Sequence, residues 1–245
     1  MTYCLGLLLP TGLVMAGDSR SNAGVDQVAL ARKLSLITTP GERVIAILSA
    51  GNLGTTQAVV TSLRQSAGTG DFNRDPLTAR TMFDVASLLG ARLREVLDRD
   101  SRYVQPYGDP TGSFLVGGQI VGEAPRLFEI YAAGNFVEAS DRARYLQIGE
   151  TKYGKPILDR VLCHETSLDE AAKLALLSFD ATLRSNLSVG PPIDLFRYAT
   201  GSFSAANLIT LEDDDPYWTD LRRRYGDGLV TLVDSLPPPP PEPRA

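Results

Sequence analysis

The sequence predicts an α+β protein built as a four-layer αββα sandwich, two mainly antiparallel sheets held between two helical layers. Three observations predict it. Apolar runs of strand length come in consecutive pairs joined by turn residues, as hairpins do. Two pairs of helical segments interrupt them, so the order is strands, two helices, strands, two helices, strands. The run Val44-Ile45-Ala46-Ile47-Leu48 is apolar without alternation, as a strand covered on both faces requires.

Tyr3 to Leu9 is the first strand, and Pro10-Thr11-Gly12 is turn chemistry. Leu13 to Ala16 completes a hairpin and leads into Gly17-Asp18-Ser19-Arg20. Ser21 to Gln27 has the Gly, Asn and Asp content of a loop. Lys33 to Thr38 is a third strand, closed by Pro40-Gly41, and Arg43 to Ser49 a fourth. Helices are expected over Thr55 to Gln65 and Ala79 to Asp98. In the second, Met82, Val85, Leu89, Leu93 and Val96 share one face. Asp109-Pro110-Thr111-Gly112 is a turn. Ser113 to Val121 and Arg126 to Ala132 pair through Gly122-Glu123-Ala124-Pro125, with Asn135 to Glu138 beside them. Lys155 to Leu162 accepts Pro156 in a helical first turn. Leu168 to Leu183 is a further helix, Ile193 to Tyr198 and Ala206 to Thr210 return to strand, and Tyr217 to Tyr225 is helical. The runs Leu5 to Leu9 and Val44 to Leu48 suit the middle of the sandwich. No linker interrupts residues 1–236, which are expected to form one domain. Residues 237–245, opening with five prolines, are expected to be a flexible or polyproline tail.

Bulk properties exclude several classes. The chain has 245 residues and a net charge of -5. No basic stripe offers a nucleic-acid surface, and Arg222-Arg223-Arg224 sits among Asp213, Asp214, Asp215 and Asp220, as a solvated helix face does. No apolar stretch reaches membrane-spanning length and no signal-peptide pattern opens the chain. A cytoplasmic protein is expected, with no nucleic-acid or membrane partner. Two cysteines, Cys4 and Cys163, suit a reducing compartment, and no metal-ligand spacing is present. The single histidine, His164, has the context of a surface or capping residue. A dyad with Cys163 is weak, because neighbours on a helix point apart.

The chain opens Met1-Thr2-Tyr3-Cys4. Removal of Met1 would leave Thr2 with a nucleophilic hydroxyl and a base of its own, the α-amine. That amine ordinarily titrates near ~7.7–8.0, so a useful fraction is neutral at cellular pH. Taken alone, such a threonine is more often merely a small second residue. Asp18 and Lys33 are the acid and the lysine that follow it. Alone, Asp18 reads equally as a turn residue and Lys33 as an ordinary strand-edge lysine.

Further segments join these: Ala16-Gly17-Asp18-Ser19-Arg20-Ser21-Asn22-Ala23-Gly24-Val25-Asp26, Leu48-Ser49-Ala50-Gly51-Asn52, Gly149-Glu150-Thr151-Lys152-Tyr153-Gly154-Lys155-Pro156, and Arg184-Ser185-Asn186-Leu187-Ser188-Val189-Gly190-Pro191-Pro192. In their order and spacing, over nearly the whole chain except the proline tail, the sequence resembles the proteasome β-subunit superfamily of N-terminal nucleophile hydrolases. The likeness is greatest to its bacterial Anbu, or ancestral β-subunit, branch. Each motif alone is weak, and together they are fairly specific.

The resemblance implies roles. Thr2 matches the threonine nucleophile, Asp18 the buried acid ending the second strand, and Lys33 the lysine of the third. A lysine there favours the developing alkoxide, and can relay a proton if burial lowers its pKa. Ala50 and Gly51 fall where the family places its oxyanion hole, and the residues do not choose between them. A tight strand-to-helix turn would also use this glycine. Ser19, Ser21 and Asn22 follow the acid, where relatives bind substrate backbone, or simply form a solvated loop. Two departures stand out. The family's Gly-Ser-Gly near the nucleophile is here Gly149-Glu150-Thr151, with Glu150 either holding a substrate amine or, the reading we favour, lying solvated in a loop. The later Asp-x-x-Ser-Gly motif is only loosely met by Asp180, Ser185 and Ser188.

The resemblance therefore implies a threonine-type hydrolase of peptide or amide bonds, without metal or organic cofactor, that associates with itself in rings or open helical assemblies. Two alternatives remain. One is a non-catalytic or narrow-substrate assembly subunit on the same fold. The other is an amidase of small molecules, against which the order of segments speaks.

Overall fold

The computed structural model describes residues 2–22 and 28–240. Met1 and its removal, residues 23–27 of the expected 21–27 loop and the end of the proline tail lie outside the described residues.

The strands are β1 (Tyr3–Leu9), β2 (Gly12–Asp18), β3 (Arg20–Asn22), β4 (Val28–Leu30), β5 (Leu34–Thr39) and β6 (Arg43–Gly51), then β7 (Gly112–Ile120), β8 (Arg126–Ile130), β9 (Phe136–Glu138), β10 (Tyr145–Gly149), β11 (Ile193–Ala199) and β12 (Leu208–Leu211). The helices are α1 (Leu53–Ser66), α2 (Met82–Val104), α3 (Lys155–Val161), α4 (Leu168–Ser185) and α5 (Pro216–Ser235). One sheet has the order β10-β1-β2-β11-β12, the other β5-β6-β7-β8-β9, and β3 pairs with β4 in a small ribbon. Every pairing is antiparallel.

Alternation along the strands builds the layers. Tyr3, Leu5, Leu7 and Leu9 of β1 face α3, α4 and α5, packing with Leu158, Ala175, Phe179 and Trp218. Ile45 and Ile47 of β6 face α1 and α2, against Val59, Leu63, Leu89 and Leu93. Between the sheets lie Cys4, Met15, Val44, Ala46, Leu48, Leu115, Leu127 and Ile148. Burying one such Leu or Phe side chain stabilises by about 1.5–3 kcal/mol, so three continuous cores hold four layers. The unalternating run in β6 is thus explained, since both its faces are covered. Small residues bring the sheets close: a Cβ on Gly6 would meet Leu127 at 2.8 Å, and one on Gly17 would meet Leu48 at 2.7 Å.

The structure corrects several boundaries. α2 begins at Met82 rather than Ala79, because Thr81 and Asp84 form a reciprocal capping box there. β10 was not expected. Only Leu146 and Ile148 of its five residues are aliphatic, yet it forms a sheet edge on β1. Ser21 and Asn22, expected in a loop, belong to the short strand Arg20–Asn22. α5 starts behind the Asp215 cap and Pro216 and passes through Gly226 and Gly228 to Ser235, ten residues beyond the expected Tyr225. β5 begins at Leu34, so Lys33 is the last residue before the strand.

Candidate active site

The N-terminal strand is pegged at its first residues. The Tyr3 ring is buried, its hydroxyl lies 2.6 Å from Ser178 Oγ, and Gln147 Nε2 donates to that hydroxyl at 2.6 Å. Burial pushes the Tyr3 phenol up to about 12. The half-buried Thr2 is tied from the other side, its carbonyl accepting from the Glu150 amide at 2.7 Å. Gly149 makes that approach possible. Its φ is +82°, and a Cβ there would stand 2.0 Å from the Thr2 oxygen.

Beneath Thr2 lies an ion pair closed off from water. Asp18 is 0% exposed and Lys33 6%. Lys33 Nζ is 2.6 Å from Asp18 Oδ1 and donates equally closely, at 2.6 Å, to the Arg20 carbonyl. The Tyr3 amide donates to Asp18 Oδ1 at 3.0 Å and the Gly190 amide to Oδ2 at 3.4 Å. Burial raises the Asp18 carboxyl, while the Lys33 charge, its hydrogen bond and the two amides pull it back. The acid that holds the lysine thus also grips the residue after Thr2.

Sequence reasoning missed what fixes Lys33 from outside. Arg32 forms a bidentate pair with the buried Asp194 of β11, at 2.9 Å to each oxygen, and Thr210 Oγ1 adds a bond to Asp194 at 2.6 Å. On the inner side the Ala31 amide donates to the Ser19 carbonyl at 2.8 Å. Residues 31–33 are therefore held by β11, by the end of β2 and by the two residues that follow it, which explains why β5 starts only at Leu34. The buried Asp194, one residue into a strand, was the available signal. Its partner lies 162 positions away.

The end of β6 reaches the same place. Cys4 Sγ is 3.6 Å from the Ser49 carbonyl, and a Cβ on Gly17 would meet both Leu48 and, at 3.9 Å, Lys33 Cβ. The ladder separates the amides of Ala50 and Gly51 by direction. Asn52 N–H bonds Thr111 O at 2.8 Å, in register with Ala50↔Ser113 and Gly51↔Gly112. Facing antiparallel pairs alternate between bonded and non-bonded. The Ala50 amide is therefore directed at β7, and the Gly51 amide points the other way, where β5 has not begun. Gly51 has φ +107°, and a Cβ there would meet Thr111 O at 2.5 Å, so only glycine fits.

The remaining candidates divide. Glu150 is 8% exposed, not solvated as favoured from the sequence; Asn186 Nδ2 donates to its Oε2 at 3.1 Å and the Lys152 amide to its Oε1 at 3.4 Å. Thr151 beside it is half-buried. Ser19 is buried next to Asp18, half-buried Ser21 lies opposite Ala29 in the ribbon, and Asn22 ends β3. Asp180 belongs elsewhere: its two oxygens take Arg184 at 3.1 Å and Arg222 at 2.9 Å, joining α4 to α5. Ser185 is exposed at the end of α4, and the Ser188 amide bonds Asn186 Oδ1 at 3.0 Å. A surface cavity of about 480 Å³ lies on the helical layer, lined by Val161, Cys163, Thr166 and Leu174, and touches none of these groups. Among the described residues no three His, Cys, Asp or Glu gather where a metal ion could be held.

Comparison with known proteins follows the same lines. The proteasome subunit family model matches residues 2–195. Anbu (ancestral beta-subunit) from Yersinia bercovieri is 45% identical, with 98% of this chain and 100% of that chain covered and a TM-score of 0.92. Anbu from Hyphomicrobium sp. strain MC1 is 45% identical over 96% of this chain and 98% of that one, with a TM-score of 0.89. The Anbu complex from Pseudomonas aeruginosa, described as a helical assembly, is 44% identical over 97% and 98%, with a TM-score of 0.92. No curated protein matches the chain.

Proposed function

The chain belongs to the proteasome subunit family, grouping with its Anbu proteins, and from that premise we propose that it is a self-assembling threonine-type peptidase or amidohydrolase whose nucleophile is Thr2 after loss of Met1. The observation that carries this reading is the buried Lys33–Asp18 pair, which also holds the Tyr3 amide directly behind Thr2. A purely structural protein gains little from such a pair, since burying two charges costs about as much as their attraction returns.

In this reading Thr2 Oγ attacks the substrate carbonyl while the α-amine takes its proton, directly or through water. The Lys33 ammonium favours the developing alkoxide, and Asp18 keeps that ammonium charged and aimed. The Gly51 amide stabilises the tetrahedral oxyanion; one such donor contributes about 2.7–4 kcal/mol to lowering the barrier. The intermediate collapses as the Thr2 α-ammonium gives that proton to the leaving nitrogen, leaving an ester on Thr2. Water then attacks the ester and releases the acid. No metal or organic cofactor enters these steps.

Self-association is supported by α5. Its stripe Trp218, Leu221 and Tyr225 packs on the body and continues as Leu229, Leu232, Val233 and Leu236, and the latter are between 45 and 66% exposed. A second copy of the chain would cover them. Two free cysteines suit the reducing cytoplasm expected from the sequence.

The test is hydrolysis of peptide amides by wild type, Thr2→Ala and Lys33→Ala. Thr2→Ala abolishes turnover and Lys33→Ala lowers it about 10²-fold or more. Turnover retained by Thr2→Ala refutes the mechanism. One observation favours a second reading, a narrow-substrate or non-catalytic assembly subunit: a carboxylate, Glu150, is buried against the Thr2 backbone.

A further inference from the structure

Glu150 is tied to Thr2 through the backbone. Its amide donates to the Thr2 carbonyl at 2.7 Å, so the two residues stand opposite each other at the end of the β1–β10 ladder. Its carboxylate is buried although it sits just past an edge strand. Its bonded partners, the Asn186 side-chain amide and the Lys152 backbone amide, are both neutral. Asn186 is itself fixed, its amide closing α4 on Thr182 and its oxygen taking the Ser188 amide. A buried carboxylate with only neutral partners favours any cation brought to it.

Loss of Met1 brings one. We propose that the Glu150 carboxylate, steadied by Asn186, receives the free α-ammonium of Thr2 and raises its pKa. The proposal rests on the reading of Thr2 as the first residue of the mature chain. The charged groups bonded to Thr2's neighbours are Asp18, on the Tyr3 amide and paired with Lys33, and Glu150 after β10, with Lys152 exposed two residues on. Arg184, at the end of α4, is engaged by Asp180. Lys33 pushes the amine towards its neutral form and Glu150 towards its charged form. Glu150 thus keeps the built-in base protonated at neutral pH and makes acylation a reaction favoured by alkali.

The experiment uses protein whose first residue is Thr2, made by cleaving an N-terminal fusion and verified by intact mass. The amine is titrated by the pH dependence of its reductive methylation with ¹³C-formaldehyde, read by NMR. Glu150→Gln lowers its pKa by about one unit, and Glu150→Asp, which withdraws the carboxylate by one methylene, lowers it less. An amine titrating at the same pH in all three proteins overturns the proposal. If Glu150→Gln does not fold, Glu150→Asp against wild type decides alone. The titration needs no turnover. An amine that shifts in a protein taking no active-site probe supports the proposal and counts against the hydrolase reading. A reactive Thr2 with an unshifted amine does the reverse.

Discussion

Lys33 Nζ lies 2.6 Å from Asp18 Oδ1, with 6% and 0% of the two side chains exposed. The contact ties the segment before β5 to the end of β2, and so joins the two sheets beside Thr2. Removing one partner of a buried pair leaves the other charge uncompensated, at a cost of about 3–5 kcal/mol. Lys33→Met and Asp18→Asn should each lose roughly that much stability in denaturant melts. The double variant should be more stable than the sum of the singles predicts, and additive losses would show that the pair is not coupled.

In the proposed mechanism the pair should also set an acid limit to reactivity. Burial raises the Asp18 carboxyl from its ordinary value, against the pull of Lys33 and the two amides. Below its pKa the carboxyl is neutral and Lys33 loses its anchor. Protonation of the Thr2 amine already removes reactivity with a slope of one as pH falls. The logarithm of the probe-labelling rate should therefore steepen to a slope of two as pH drops through the raised Asp18 pKa. A single slope throughout would mean that Asp18 ionisation is not needed.

Two glycines should resist a methyl group for different reasons from a third. Gly149 and Gly51 have positive φ and a backbone oxygen where the Cβ would go. Alanine at either should cost about 1–3 kcal/mol and abolish labelling of Thr2. Gly41 has φ +76° and nothing within 4 Å, so Gly41→Ala should pay the backbone strain alone and keep full labelling. Thermal melts and labelling rates of the three variants read both effects.

The overhanging stripe of α5 bears on assembly. Leu232 is 54% and Val233 66% exposed, and neither supports the core. Glu at both positions should leave the melting temperature of the subunit nearly unchanged and shift the sedimentation profile to smaller species. An unchanged profile would assign assembly to another face.

Local signals made much of this legible. The unalternating Val44-Leu48 run marked a strand covered on both faces, while Thr2, Asp18 and Lys33, each ordinary when taken alone, were singled out through the family resemblance. What escaped depends on distant partners. Arg32 and Asp194 meet only through folding, and nothing around Glu150 announces a buried carboxylate, because Asn186, which helps to bury it, is 36 positions away. Gly226 and Gly228 each cost a helix about 1 kcal/mol, so propensity alone ends α5 too early. That the Gly51 amide, unlike that of Ala50, points away from β7 follows from the parity of the β6–β7 ladder, which composition does not carry.

The most direct test of Thr2 as an N-terminal nucleophile is the mass of the protein, intact and as peptides, after treatment with a peptide epoxyketone. That probe closes a ring on a threonine only when both its free amine and its hydroxyl react. The account predicts a chain lacking Met1 and carrying the adduct on Thr2. A chain from its native host that retains Met1, or one lacking it that leaves Thr2 unmodified by every such probe, would contradict it.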